Sequence, residues 1–260
     1  MVKTLVFDIE TVPLPEEQIL ALLPAFDPDE VKVGNRKPET AEKYIEEKRA
    51  EHKARVLERA ALSAITGKVA ALGIWDGDAG ATGVILIDEE RRLIETFFTR
   101  FELGLGEMTR WVGFNIEHFD IPFLLRRAWA LGIRPPAGLV KGRYLTSWFV
   151  DLMNVWRAST GERELISLGR LAQFLGQGNK DGTGAAFAAL LYEDQAKAAE
   201  YLRNDLALTW RIAERLGVIL PAGAEVAHEY GEPGRELAAE MNDKRAEPEL
   251  EPAPEPLSFW

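Results

Sequence analysis

Short apolar runs of strand length alternate along the chain with longer polar or amphipathic stretches of helical length. The pattern predicts strands over 5–11, 68–75, 82–87, 110–115 and 147–152. It predicts helices over 39–62, 89–102, 120–131 and 193–216. A Gly-rich turn separates the second and third runs, so the first three strands are expected to form a meander. Strands that come early, with helices between and after them, predict an α/β domain.

The first apolar run ends in two acidic residues, Asp8 and Glu10. Side chains two apart on a strand share a face, so both carboxylates are expected to point the same way. Two like charges at the edge of a core are costly unless a cation or a shared proton offsets their repulsion. A hard divalent metal ion is the economical explanation. In the alternative interpretation one or both carboxylates cap a turn, because Thr11-Val12-Pro13 ends the strand.

Composition limits which metal such a site could hold. The chain has no cysteine, which excludes disulfides, zinc-thiolate sites and thiol nucleophiles. Its three histidines are not spaced as metal ligands, so oxygen-ligated Mg²⁺ or Mn²⁺ is favoured.

No apolar stretch approaches the roughly 20 residues that span a bilayer. The first strand also starts too early to leave room for a signal peptide. We therefore expect a soluble cytoplasmic protein without a membrane partner.

With 260 residues, 47% of them hydrophobic, the chain can form one large domain and a tail. We expect the domain to cover residues 1–220 and to carry a helical insertion at about 14–62. The basic residues of this insertion alternate with glutamates, which favours a salt-bridged, solvent-exposed helix over a nucleic-acid clamp. Residues 221–260 are acidic and rich in Pro and Glu, a composition that predicts a disordered tail.

The net charge of −11 is unevenly distributed. Ten acidic and three basic residues follow residue 220, so the tail carries −7 and the remaining residues carry −4. If four carboxylates of the domain bind two divalent cations, the loaded domain is close to neutral. Local basic stretches can then hold a phosphate backbone. Acidity therefore does not exclude a nucleic-acid substrate.

A third acid, Asp120, lies between a predicted strand and a predicted helix. Phe119, Ile121 and Phe123 flank it, and they would anchor the segment in the core and hold Asp120 rigidly at the edge of the sheet. The alternative is structural, because an Asp shortly before Pro122 is a common helix N-cap.

A fourth acid, Asp205, lies in the last predicted helix. At about 100° per residue, its neighbours in projection are mostly apolar. They are Ala198, Tyr201, Leu202, Leu208, Thr209, Ile212 and Leu216. A carboxylate in the middle of an apolar face is costly unless it is paired or metal-bound. A neighbouring Arg or a backbone partner is the alternative. Tyr201, one turn earlier, shares this face and could present its hydroxyl to the same site, or be ordinary core.

Three short motifs thus occur in a fixed order: Phe7-Asp8-Ile9-Glu10-Thr11, then Asn115-x₃-Phe119-Asp120, then Tyr201-x₃-Asp205. This arrangement resembles the 3′→5′ exonucleases of the DEDD superfamily, in the branch that carries Tyr in its third motif. Within that branch, the chain is most similar to stand-alone, predicted relatives of the proofreading exonuclease domain of family B DNA polymerases. The resemblance covers roughly residues 1–217.

The resemblance implies a ribonuclease H-like fold with a mixed central sheet whose first three strands are antiparallel. It implies that Asp8, Glu10, Asp120 and Asp205 bind two Mg²⁺ or Mn²⁺ ions, and that Tyr201 orients the attacking water. The implied reaction releases nucleoside 5′-monophosphates from single-stranded or frayed DNA 3′ ends. The ordinary pKa of tyrosine, about 10, makes it a better hydrogen-bonding orienter than a general base at neutral pH.

The resemblance also implies a groove for the unpaired 3′ end. Thr11 and Val12 would lie near the terminal nucleotide. Asn115 and Phe119 would line the groove, where base stacking on a phenylalanine requires no particular sequence. Lys180, in a Gly-rich loop, is a candidate phosphate contact, and a solvated loop lysine is the alternative.

Two other functions fit the same residues. A 3′→5′ exoribonuclease would use the same fold and metals, since no motif reports on the 2′-hydroxyl that distinguishes RNA from DNA. A non-catalytic module that binds nucleic acid or a partner is disfavoured, because all four acids and Tyr201 are present. The apolar tail end Leu257–Trp260 could dock on a replication or repair partner such as a sliding clamp, although this match is only compositional.

Overall fold

A computed structural model describes most of the predicted domain. The described residues are 3–22, 25–76, 82–106, 109–140, 148–158, 165–180, 182 and 184–219. The predicted tail, with its end at Leu257–Trp260, lies outside the described residues, and the boundary at residue 220 stays a prediction. Within the described ranges, no helix is long and apolar enough to cross a membrane.

Five strands form one mixed sheet among the described residues. They are β1 (Thr4–Pro13), β2 (Gly67–Asp76), β3 (Thr82–Ile87), β4 (Arg110–Gly113) and β5 (Phe149–Asp151). Their spatial order is β3-β2-β1-β4-β5. β1, β2 and β3 pair antiparallel, whereas β4 pairs parallel with β1 and β5 pairs parallel with β4. This mixed sheet with an antiparallel meander confirms the predicted α/β architecture.

Helices connect and cover these strands. They are α1 (Glu16–Leu22), α2 (Pro38–Arg59), α3 (Glu90–Gly106), α4 (Asp120–Ala130), α5 (Leu152–Trp156), α6 (Leu168–Phe174), α7 (Gly184–Glu193) and α8 (Gln195–Arg215). Short 3₁₀ helices, Pro28–Glu30 and Ala60–Leu62, lie before and after α2. The last strand is shorter than predicted. Its Asp151 carboxylate accepts the Met153 N–H at 2.9 Å and caps α5, so the chain turns into a helix there.

Alternate side chains of β1 enter two different core layers. Val6 packs among residues of α6, α7 and α8, whereas Phe7 and Ile9 pack among residues of α3 and α4. A helical layer therefore covers each face of the sheet. Because Asp8 and Glu10 follow Val6 at every second position, they face the α8 side.

The last helix, α8, lays an apolar face on the sheet. Its buried residues are Ala198, Tyr201, Leu202, Asp205, Leu206, Leu208, Thr209, Ile212 and Ala213. Asp194 begins the helix by accepting the N–H groups of Ala196 at 3.0 Å and Lys197 at 3.2 Å. The amphipathic pattern predicted for this helix is confirmed, and it places Asp205 among apolar neighbours.

A glycine allows α8 to come close to the sheet. Gly73 of β2 pairs with Asp8 of β1. A Cβ atom at Gly73 would lie only 2.5 Å from Leu206 Cδ1 and 3.1 Å from Leu202 Cγ. Any larger residue at this position would force the side chains of Leu206 and Leu202 on α8 to move. The absence of a side chain at Gly73 therefore leaves room for Leu206 and Leu202 of α8 against β2, next to Asp8 on the paired strand.

The predicted insertion contains α1 and α2. None of the residues of α2 is buried. Its charged side chains pair along the helix, Lys48 with Glu51 at 2.6 Å and Arg49 with Glu46 at 3.2 Å. These pairs confirm the salt-bridged, solvent-exposed helix that the sequence favoured.

A buried ion pair joins α3 to α4. Arg127 donates from Nη2 to Glu90 Oε2 at 2.7 Å and from Nε to Glu90 Oε1 at 2.8 Å, and the two side chains are 9% and 10% exposed. Arg127 also donates to the Ala64 carbonyl, and the Val69 N–H donates to Glu90. The pair therefore fixes both helices to the start of β2, and the sequence pattern did not single it out.

Candidate metal centre

Three carboxylates, two from β1 and one from α8, meet on the α8 side of the sheet. One oxygen atom from each of Asp8, Glu10 and Asp205 lies within 4.8 Å of the others. Glu10 and Asp205 are buried, and Asp8 is partly buried. β1 continues through Pro13, with a register shift after Glu10, so neither acid of β1 caps a turn. The turn-capping interpretation is wrong.

The fourth predicted acid, Asp120, lies beside this group. It is the first residue of α4 and is buried, and its Oδ1 atom accepts the N–H of Ile9 at 3.0 Å. Ile9 separates Asp8 from Glu10, so this bond ties Asp120 to the strand that carries both acids. Phe119, not Asp120, occupies the N-cap position of α4, so the capping interpretation is wrong.

Burial, and then the neighbouring negative charges, make these carboxyl groups resist ionisation. Burial raises the pKa of Asp8 to about 7, and the negative charge of Asp205 adds to the increase. Burial also raises the pKa values of Glu10 and Asp120 well above their usual range, and the charge of Asp8 is the next cause for both. A bound cation would favour the ionised forms. Because every donor is a carboxylate oxygen, the residues present fit Mg²⁺ or Mn²⁺.

A lysine ammonium group shares the acidic cluster. Lys180 Nζ lies 2.6 Å from Asp205 Oδ2 and 5.3 Å from the centroid of the Tyr201 ring. Burial by itself lowers the pKa of Lys180, but the negative charge of Asp205 more than offsets this, so the pKa lies above its usual range. Lys180 is therefore a charged member of the site, and the interpretation of a solvated loop lysine is wrong.

Tyr201 lies one turn before Asp205 on α8 and is 6% exposed. Burial raises the pKa of its hydroxyl above the usual range, the charge of Asp205 adds to the increase, and Lys180 opposes it. The phenol therefore keeps its proton near neutral pH. In this state it can donate a hydrogen bond but cannot serve as a general base.

The predicted groove residues lie in different surroundings. Thr11 follows Glu10 on β1, and its hydroxyl donates to the Ala61 carbonyl at 2.7 Å, which ties the end of the insertion to the edge of the site. The Val12 side chain is 1% exposed and packs in the core. Phe119 is partly buried, with its ring centroid 5.4 Å from that of Phe123. Thr11 therefore lies beside the acids, whereas the Val12 side chain is buried in the core.

Asp151 holds the loop that leads to Asp120, a role that the sequence pattern did not predict. Its buried carboxylate accepts the backbone N–H groups of Asn115 at 2.7 Å, Glu117 at 3.1 Å and Met153 at 2.9 Å. Asn115 has a φ of 63°, a left-handed conformation that Asn tolerates better than most residues. The segment held in this way leads directly into Asp120. One signal could have found this residue, an acid at the end of the fifth apolar run.

Comparisons with known proteins bear on this arrangement. A family model described as "RNase_H superfamily" matches residues 56–216, which is more than half of the chain. No curated protein matches the sequence. Among solved structures, the family B DNA polymerase from the hyperthermophilic archaeon Pyrobaculum calidifontis has a similar fold. The sequence identity is 18% and the TM-score 0.52, over 83% of this chain and 24% of that chain.

This chain therefore spans about a quarter of the length of that polymerase. At this low identity the likeness concerns the fold alone, and that fold is the one predicted from the ordered motifs. The family match confirms the ribonuclease H-like resemblance over β2 through α8. The mixed sheet, the helices on its two faces and the matched residues together show that the chain belongs to the RNase H superfamily.

Proposed function

We propose that the protein is a metal-dependent 3′→5′ exonuclease that releases nucleoside 5′-monophosphates from DNA 3′ ends by two-metal-ion hydrolysis. The observation that carries the proposal is the meeting of Asp8, Glu10 and Asp205 within 4.8 Å, with Asp120 bonded to the strand between the first two. Membership of the RNase H superfamily supports a nuclease-type activity. The fold shared with a DNA polymerase favours DNA as the substrate.

Asp8, Glu10, Asp120 and Asp205 would hold the two Mg²⁺ or Mn²⁺ ions. Such ions activate a water molecule and stabilise the leaving 3′-oxygen. Asp8 and Glu10 belong to a strand that is paired on both sides, and Asp205 belongs to a helix packed in the core. Ligands on such rigid elements are positioned before any substrate binds.

The remaining groups would orient the reactants. Tyr201 keeps its proton, so it would donate a hydrogen bond that holds the attacking water in line with the phosphate. Thr11, next to Glu10, would lie near the terminal nucleotide. Asn115 and Phe119 would line the path of the strand that leads to it, and the Asp151 contacts would keep their loop in place.

The test is the shortening of 5′-labelled single-stranded DNA, and of its RNA counterpart, in Mg²⁺, Mn²⁺ or EDTA. The Asp8→Asn variant removes one carboxylate of the cluster. The Asp29→Asn variant makes the same change on an exposed residue of the insertion and serves as the control. We expect wild type and control to shorten DNA stepwise from the 3′ end, and Asp8→Asn to be at least about a hundredfold slower.

Each outcome bears on a different part of the proposal. Activity that persists in EDTA or in Asp8→Asn contradicts the assignment of the acids. Faster shortening of RNA than of DNA would identify an exoribonuclease instead. If no metal supports shortening of either polymer, the catalytic proposal fails, and nucleic-acid binding without hydrolysis becomes the function to test.

A further inference from the structure

Lys180 lies where a cation is needed. Its ammonium nitrogen is 2.6 Å from Oδ2 of Asp205, which belongs to the three-acid cluster. Its charge also acts on the other two acids: against the increase caused by burial, Lys180 lowers the pKa values of both Asp8 and Glu10. The ammonium group therefore pairs directly with Asp205 and offsets part of the repulsion within the three-acid cluster.

The loop that carries Lys180 has a backbone path that places this residue next to Asp205. Lys180 belongs to the loop between α6 and α7, in which Gly178 has a φ of 110°, a conformation open to glycine. The loop lies close to the start of α6, since a Cβ atom on Gly169 would be 3.2 Å from Lys180 Cβ. Gln173 on α6 donates to Asn179 Oδ1 at 3.1 Å and fixes the preceding residue. The backbone that carries Lys180 is thus held against α6, whereas its side chain beyond Cβ is not fixed by these contacts.

We propose that Lys180 is a resident counter-cation, which stabilises the acidic cluster in the metal-free protein and competes with a divalent metal ion for the Asp205 carboxylate. A metal ion and an ammonium group repel each other and use the same oxygen lone pairs, so a metal ion that binds Asp205 Oδ2 displaces Lys180. Lysine suits this exchange, because its stem is flexible and its ammonium group is readily hydrated. The inference rests on the metal site of the proposed function.

The exchange has a consequence for the substrate. Lys180 is 24% exposed, so a displaced ammonium group can turn toward solvent without crossing the core. There it would be free to meet a phosphate, as the resemblance implied. Lys180 thus weakens metal binding but stabilises the metal-free fold. When a metal ion binds, the ammonium group of Lys180 is released and can contact the nucleic acid.

The first test is a calorimetric titration of Mn²⁺ into the full-length, metal-free protein. Lys180→Met removes the charge but keeps an unbranched stem, whereas Lys180→Arg keeps the charge. Lys197→Gln is the matched control, because it removes one positive charge from the exposed first turn of α8, where Lys197 pairs with Asp194. We expect Lys180→Met to bind Mn²⁺ about tenfold more tightly than wild type. Lys180→Arg should bind no more tightly than wild type, and the control should match wild type.

The second readout is the melting temperature without metal. In EDTA, Lys180→Met should melt below wild type, because its acids have lost their counter-cation, and saturating Mn²⁺ should abolish that difference. Equal or weaker Mn²⁺ binding by Lys180→Met, tighter binding by Lys180→Arg, or an unchanged melting temperature in EDTA would overturn the inference and leave the proposed function intact. If no variant and no wild-type protein binds Mn²⁺, both fail.

Discussion

Replacing Asp8 by asparagine is expected to stabilise the metal-free protein above pH 7, although it removes a candidate metal ligand. Burial, followed by the charge of Asp205, raises the pKa of Asp8 from 3.8 to about 7. Between these pH values the folded protein keeps a proton that the unfolded chain has released. The free energy of unfolding therefore falls as the pH rises through this window, and it is lowest above pH 7.

The size of the effect follows from the two pKa values. A difference of about three pKa units corresponds to about 4 kcal/mol once Asp8 is fully ionised. Relaxation, and water that reaches the partly buried carboxylate, reduce this figure. We therefore expect Asp8→Asn to raise the free energy of unfolding by about 2 to 3 kcal/mol at pH 8. For a domain of about 200 residues, this corresponds to a melting temperature higher by about 5 to 10 °C.

Urea unfolding in EDTA at pH 4, 6 and 8 measures the effect, with Asp29→Asn as the control for charge removal. At pH 4 the gain should shrink to about 0.5 kcal/mol, because Asp8 is then protonated in the folded state, and the unfolded chain, just above its pKa of 3.8, has released only part of this proton. Saturating Mn²⁺ should reverse the order, since wild type alone keeps all its ligands. A gain of equal size at pH 4 and pH 8, or a loss at pH 8, would refute the electrostatic reasoning.

Two further predictions concern packing. Gly73→Ala should lower the free energy of unfolding in urea by about 1 to 3 kcal/mol, because the new methyl group collides with Leu206 on the helix that carries Asp205. For the same reason it should weaken Mn²⁺ binding in calorimetry. An Mn²⁺ affinity equal to that of wild type would contradict this link. Arg127→Met should cost about 3 to 5 kcal/mol, because Glu90 then loses its cation in a buried setting. The double variant Arg127→Met/Glu90→Gln should recover part of this lost stability, because it no longer buries an unpaired charge. If Arg127→Met alone lowers the free energy of unfolding by less than about 1 kcal/mol, the pair is not a buried charge pair.

Periodicity predicted the parts of the site that depend on local geometry. The two-residue repeat of a strand placed Asp8 and Glu10 on one face, and the helical repeat placed Asp205 on the apolar face of α8. The third strand, Thr82–Ile87, has the predicted bounds. In each case the fold needed only a choice between strand and helix, and a hydrophobic pattern encodes that choice directly.

Contacts made by loops and by residues far apart in the sequence were beyond such reasoning. The pairing of Lys180 with Asp205 depends on the path of a glycine-containing loop, which no repeat describes. Asp120 has a strong local preference for capping a helix, yet its carboxylate accepts an N–H from β1, because tertiary structure brings the strand within reach. Two of the backbone bonds of Asp151, those from Asn115 and Glu117, likewise exist only once β4 and β5 lie side by side.

The distance along the chain between β1 and α8 has a consequence for how the protein is made. β1 lies inside the sheet, but its acids gain their partner Asp205 only after almost every described residue has been synthesised. Contacts between such distant segments require the closure of a long loop, which costs conformational entropy. A nascent or truncated chain that lacks α8 would therefore hold Asp8 and Glu10 without the third carboxylate. The proposed metal centre would thus stay incomplete until α8 has been synthesised and has packed on the sheet.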